Sequence, residues 1–241
     1  MNDQAETLRA PRYSDLPARM RALPLDKRGF PVPWFVARRR LRASIAGKTG
    51  QRWPVFPAMD ARKRRLAWKD NLCWVCGQKM GRVRAFVIGP MCAVNRTSAE
   101  PPCHLDCARW SALNCPFLSR PAMGRVPLDH YGGTGENVPG VMLPRNPGVT
   151  LVWQTLRPAI FGAGAGNFLF DIGKPHAVEW YARGRAATRA EVLASIESGL
   201  PSLLQLVDAD PDPAGARAEY DRRLAAALDL VPTEQGNATD G

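Results

Sequence analysis

Apolar positions along the chain follow two rhythms. Short continuous apolar or alternating runs occur at "VRAFVIGPM" (83–91), "VTLVWQT" (149–155), "NFLFDI" (167–172) and "AVEWYA" (177–182). They are rich in β-branched and aromatic residues and read as strands, the first of them fully buried. "GFPVPWFVA" ends in a further short strand, Trp34 to Ala37. Helical spacing takes over elsewhere. "MDARKRRLAWKD" (59–70) predicts a short basic helix, with Asp60 as N-cap, Leu66 as its main apolar member and Trp68 near its end. "PPCHLDCARWSALN" (101–114) predicts a helix with Pro102 at its first position, stopped by Pro116. Thr188 and Glu191 form a capping-box pattern for a helix that closes at Gly199, with "PSLLQLV" as a second short helix. Asp212–Pro213 opens a last helix whose stripe is Ala218, Leu224, Ala225 and Leu228.

Polar and turn-rich stretches divide these elements. Residues 1–58 read as a basic N-terminal arm and strand. Residues 59–130 hold the cysteines and read as a treble-clef zinc module. Residues 131–148 are dense in Gly, Pro and Asn and read as a linker loop, and 149–241 as a small α+β unit. The predicted class is α+β, with a small C-terminal sheet plus helices beside the cysteine module.

Charge sharpens this division. The 241 residues carry a net charge of +11. Residues 1–70 hold 17 Lys/Arg against 6 Asp/Glu, whereas residues 131–241 hold 9 against 13. A polyanion is the natural partner of such a front half. Nucleic-acid contact would use Arg38, Arg39, Arg40, Arg42, Arg62, Lys63, Arg64 and Arg65, interleaved with Trp34, Trp53 and Trp68. An acidic protein partner would satisfy the same charge, and the tryptophans serve equally as core anchors. The N-terminus lacks the apolar stretch of a signal peptide, and no run of 18 apolar residues exists. The expectation is a cytoplasmic protein with no membrane contact and no small-molecule cofactor.

In a reducing compartment clustered cysteines favour metal over disulfides. Cys73 and Cys76 form a C-x-x-C knuckle followed by Gly77, and "CHLDC" (103–107) follows about thirty residues later. Zinc takes four N or S donors in a tetrahedron. The expected set is Cys73, Cys76, His104 and Cys107, since i and i+3 share one helix face. Cys103 is the rival to His104, because i and i+4 share a face as well. Cys92 and Cys115 read as packing. A closed four-ligand site points to one structural Zn²⁺ rather than a catalytic one.

The stretch "CWVCG…AFVIGPMCAVNR…SAEPPCHLDCA…CPFLSRP" (73–121) resembles an uncharacterised family of bacterial and phage or prophage proteins. "GFPVPWFV" and "VEWYARGRAATRAEVL" are similar to that family too, which extends the resemblance over residues 29–200. It implies a phage-type, cytosolic zinc protein without an assigned activity. Ser precedes the motif histidine in that family, whereas Cys103 stands there in this chain, so the choice between Cys103 and His104 stays open.

Other motifs fail on their chemistry. "RASIAGKTG" (42–50) lacks the leading Gly of a P-loop, and "GAGAG" (162–166) lacks the dinucleotide-binding spacing. "DHYGGTGEN" (129–137) resembles the Asp-His of His-Asn-His nucleases, but Asp129 and His130 follow the second cysteine pair instead of lying between the pairs. The leading expectation is a non-enzymatic nucleic-acid-binding protein. A protein adaptor is the alternative, and a metal-dependent nuclease using His130 is the third.

Overall fold

The computed structural model describes residues 13–40, 52–120, 147–164 and 167–234. Two short 3₁₀ turns lead into β1 (Val36–Arg40), which pairs antiparallel with β2 (Arg52–Met59). Asp60 accepts hydrogen bonds from the backbone N–H groups of Arg62 and Lys63, and so caps α1 (Ala61–Lys69) as its sequence predicts. The cysteine region contains β3 (Arg84–Ile88), α2 (Pro90–Asn95), β4 (Thr97–Ser98), α3 (Leu105–Asn114) and α4 (Pro116–Ser119). Then come β5 (Thr150–Thr155), β6 (Ala159–Gly162), β7 (Phe168–Asp171), β8 (Ala177–Ala182), β9 (Arg185–Ala186), α5 (Arg189–Asp208) and α6 (Pro213–Leu228).

Sheet pairing crosses the expected boundary between cysteine module and C-terminal unit. The main antiparallel sheet runs β3-β5-β8-β9, so β3 pairs with a strand more than sixty residues later. A second sheet, β4-β7-β6, repeats the crossing. Strands from the segments 59–130 and 149–241 therefore share two sheets, and both segments contribute to the same buried clusters. Most of the expected linker, 131–148, lies outside the described residues, as does the "DHYGGTGEN" loop.

Both faces of the main sheet are covered, and its strands alternate between two cores. Phe86, Ile88, Leu151, Trp153, Val178 and Trp180 point to the side of α5 and β7, where they meet Phe170, Ile172, Val192 and Ile196. Ala85, Val87, Val152 and Tyr181 point to the side of the knuckle and α3. The alternation is the period of two of a strand, and double coverage explains why every residue of β5 is buried.

The α3-facing side also carries a buried carboxylate. Glu179 on β8 accepts from Arg109 of α3 at 2.6 and 2.8 Å, from Gln154 at 2.9 Å and from the Tyr181 hydroxyl at 2.6 Å. This network clamps α3 to the sheet. Burial alone would raise the Glu179 pKa, but the hydrogen bonds from Arg109 and Tyr181 outweigh it and hold it below the ordinary 4.5.

Several local expectations change. α5 runs unbroken through Gly199 and Pro201. Gly199 is a packing residue rather than a cap, because a Cβ there would lie 2.7 Å from the Met91 sulfur. α3 starts at Leu105, not in the Pro101–Pro102 region, and Cys103 instead pairs with Ala85 as a β-bridge. On α1 the burial is the reverse of what hydropathy predicts: Leu66 is 42% exposed and Arg64 only 6%. The Arg64 guanidinium donates to the carbonyls of Ala99 and Phe168 and stacks over the Phe168 and Phe170 rings. Arg64 is thus a core residue and not a nucleic-acid contact.

Two outcomes follow for stability. Arg64→Ala should cost about 2–3 kcal/mol in urea unfolding, because it removes the stack and leaves two carbonyls unpaired, while exposed Arg65→Ala should cost under about 0.5 kcal/mol. Equal effects would remove Arg64 from the core. For Glu179, the folded pKa lies below the unfolded one, so its stabilisation is full above 4.5 and is lost as pH falls through the folded value. The stability gap between wild type and Glu179→Gln should therefore narrow on acidification, and a gap that widened would contradict the assignment.

Candidate metal centre

The knuckle is built by a tight turn. The Gly77 N–H donates to the Cys73 carbonyl at 2.8 Å, and the Cys73 N–H to the Gln78 carbonyl at 2.7 Å. Gly77 has φ +77°, and a Cβ there would stand 2.7 Å from the Trp34 ring. Left-handed backbone and the overlying indole both require glycine. Trp34 is tied down in turn, with its N–H on the Val75 carbonyl at 2.7 Å. Phe35 stacks on Trp74, ring centroids 4.8 Å apart.

α3 brings the other pair. His104 is its N-cap residue and Cys107 lies in its first turn, so the two are three apart on one face. The donor atoms of Cys73, Cys76, His104 and Cys107 all lie within 4.8 Å of one another, and all four residues are buried. Cys76 Sγ is 3.4 Å from His104 Nδ1. The other imidazole nitrogen, Nε2, is 3.0 Å from the Lys79 carbonyl. That contact places the proton on Nε2 and turns the Nδ1 lone pair towards the sulfurs, as ligating histidines are usually held. Cys73 Sγ also accepts the backbone N–H groups of Cys76 at 3.4 Å and His104 at 3.3 Å, which joins the two halves directly.

Cys103 is excluded from the set by its backbone. It is extended, with N–H and C=O both bonded to Ala85, and its thiol donates to the Ala85 carbonyl at 3.1 Å. The i,i+4 argument for Cys103 needed a helix that has not yet begun there. Cys92 and Cys115 are half-buried, and Cys92 packs against the sheet core.

The electrostatics call for a cation. Burial would raise the Cys73 thiol, but the polar groups crowded around its sulfur outweigh this and drive it far below its ordinary value. Once Cys73 is ionised its neighbours cannot follow. Cys107 is pushed up by its hydrogen bonds with Cys73 and Cys76. A bond from Cys107 lowers Cys76, but Cys73 and burial outweigh this and lift it to about 11. The Cys73 thiolate raises His104 as well, against burial. A divalent ion at the centre would ease this conflict by offsetting two of the three thiolate charges. The donors present fit one such ion, three sulfurs and one imidazole nitrogen in a closed set.

The eight expected nucleic-acid contacts separate. Arg38, Arg62 and Arg65 are exposed. Lys63 donates to the Trp34 carbonyl at 2.6 Å and lies over the Trp34 ring, which ties it to the knuckle. Arg64 is buried, as above. Arg39 and Arg40 lie on β1, but their side chains, like that of Trp53 and all of Arg42, fall outside the described residues. Trp68 packs edge-on against Phe170. Sequence reading missed Lys69, exposed on α1 seven residues after Arg62, and the Lys79 carbonyl that sets the imidazole. The i, i+3, i+7 spacing of Arg62, Arg65 and Lys69 signals the first, whereas a backbone carbonyl has no sequence signature.

No protein family, no curated protein and no solved structure matches this chain.

Metal analysis should return one ion per chain for wild type. Cys73→Ser and Cys107→Ser should lose it, while Cys103→Ser should keep it. In a cobalt-loaded sample the thiolate charge-transfer band should shrink with each ligand substitution and be unchanged by Cys103→Ser. Affinity should fall on acidification, because protons compete for the sulfurs and for Nδ1. A Cys73→Ser chain retaining full metal content would overturn the site.

Proposed function

We propose that this chain is a zinc-stabilised, phage-type nucleic-acid-binding protein in which the metal is structural. Three thiolates and one imidazole suit Zn²⁺, and four protein donors leave no open position for substrate or activated water. The order of knuckle, strand β3 and helix α3 with ligands at its N-terminus supports a treble-clef reading. The resemblance of the cysteine region to phage and prophage proteins agrees with it.

The observation that carries the binding role is the basic face of α1. Arg62, Arg65 and Lys69 are exposed on one side of the helix, with Arg38 exposed on β1. None forms an ion pair with a described residue. By contrast, Arg217, Arg222 and Arg223 on α6 are paired with Asp221 or Glu219. Cations on a helix that have no ion-pair partner among the described residues suit phosphates.

Binding of labelled oligonucleotides should weaken steeply with salt. Four phosphate contacts give a slope of log affinity against log salt of roughly −3 to −4. Arg62→Ala with Arg65→Ala should flatten it by about 1.5. Absence of binding at low salt by the metal-loaded protein would sink this reading.

A further inference from the structure

A pocket of about 200 Å³ opens beside the knuckle, between the end of α1, the start of β3 and the turn after β5. Sites for drug-sized ligands measure roughly 300–1,000 Å³, so this one holds about a single flat ring. Trp68, Met80, Pro102 and Leu156 give it apolar walls, and Asn71, Arg84 and Arg157 give it polar ones. Among the described residues no carboxylate lines it.

The two guanidiniums are short of partners. Arg84 is half-buried and donates only to the Gly81 carbonyl. Arg157 is exposed and bonds through its side chain to no described residue. Asn71 is held in a left-handed turn at φ 54° with its Nδ2 on the Met80 carbonyl at 2.9 Å, so its Oδ1 remains as an acceptor without a described partner. Apolar walls, an amide oxygen and two guanidiniums with no ion-pair partner among the described residues together suit a ligand with a polar ring and a phosphate.

We propose that this pocket takes one nucleotide unit, its base against Trp68 and Leu156 and its phosphate between Arg84 and Arg157. The unit is either a free nucleotide or one residue of a single strand. In the second case the site rests on the nucleic-acid reading above. Trp68 follows Arg65 by three residues on α1, so a strand tracking the basic face arrives at the pocket wall. Stacking on an aromatic wall with phosphates on flanking arginines is how single strands are held without sequence preference.

The test uses the metal-loaded full chain, labelled oligothymidylate for anisotropy, and thymidine monophosphate and inorganic phosphate for calorimetry. Arg157→Ala and Leu156→Glu change exposed side chains and leave the core intact. Each should weaken the strand about 10-fold and abolish monophosphate binding. If both variants bind the strand like wild type while Arg62→Ala with Arg65→Ala weakens it, the pocket is overturned and the basic face stands. If the monophosphate binds through Arg157 but no strand binds at low salt, the pocket is a free-nucleotide site and the polymer reading fails. Inorganic phosphate binding as tightly as the monophosphate overturns the base subsite. Failure of strand and monophosphate alike overturns both readings.

Discussion

Three sulfurs and an imidazole gathered within 4.8 Å inside the protein are the constraint on which the rest depends. Burying one thiolate is costly, and burying three without a counter-charge is not sustainable. Without a counter-charge the crowded sulfurs push one another's ionisation apart, lowering Cys73 and raising Cys76 and Cys107. A dication held there would turn the cluster into a coordination set of three sulfurs and one nitrogen. Because the two halves come from a turn and a helix about thirty residues apart, an ion held between them would fix α3 relative to the knuckle, and its binding free energy would become folding free energy.

The position of α3 is then passed to the sheet. Arg109 leaves α3 for Glu179 on β8, and Gln154 on β5 and Tyr181 on β8 complete the carboxylate's partners. Meanwhile β3 is joined to the segment before α3 by the Ala85–Cys103 bridge and to β5 by a full register of pairs. The metal site is therefore not a pendant module. It forms one cover of a sheet whose other cover is α5 and β7. The cysteine region and the C-terminal strands share sheets because β3 pairs with β5 and β4 with β7, contacts between residues far apart in sequence that local composition does not report.

Features written in local chemistry were legible in the sequence. Asp60, Thr188 and Asp212 each cap the helix they were expected to open. The strands at 149–155, 167–172 and 177–182 occur within a residue or two of their expected bounds. The four side chains that the structure gathers into a cluster able to hold a metal ion are those the spacing pointed to. Features decided by tertiary contact were not legible. Gly199 resembles a helix stop until Met91 is found lying on it. Cys103 looks helical until Ala85 is found beside it. β2 was missed because its pairing with β1, rather than its own pattern, makes it a strand.

The basic run "ARKRRLAWK" shows how a one-dimensional charge count overstates a surface. Helical geometry sends successive residues to different sides. Arg64 goes inward, where two aromatic rings and two carbonyls accept it; Lys63 goes to the Trp34 carbonyl; Arg62, Arg65 and Lys69 remain outside. At 1.5 Å per residue the outer three span roughly 10 Å along the helix. The inward arginine pins α1 to the loop before α3 and to β7, so its charge is spent inside the fold. Burial of that one charge leaves fewer outward-facing cations on α1 than a count along the sequence suggests.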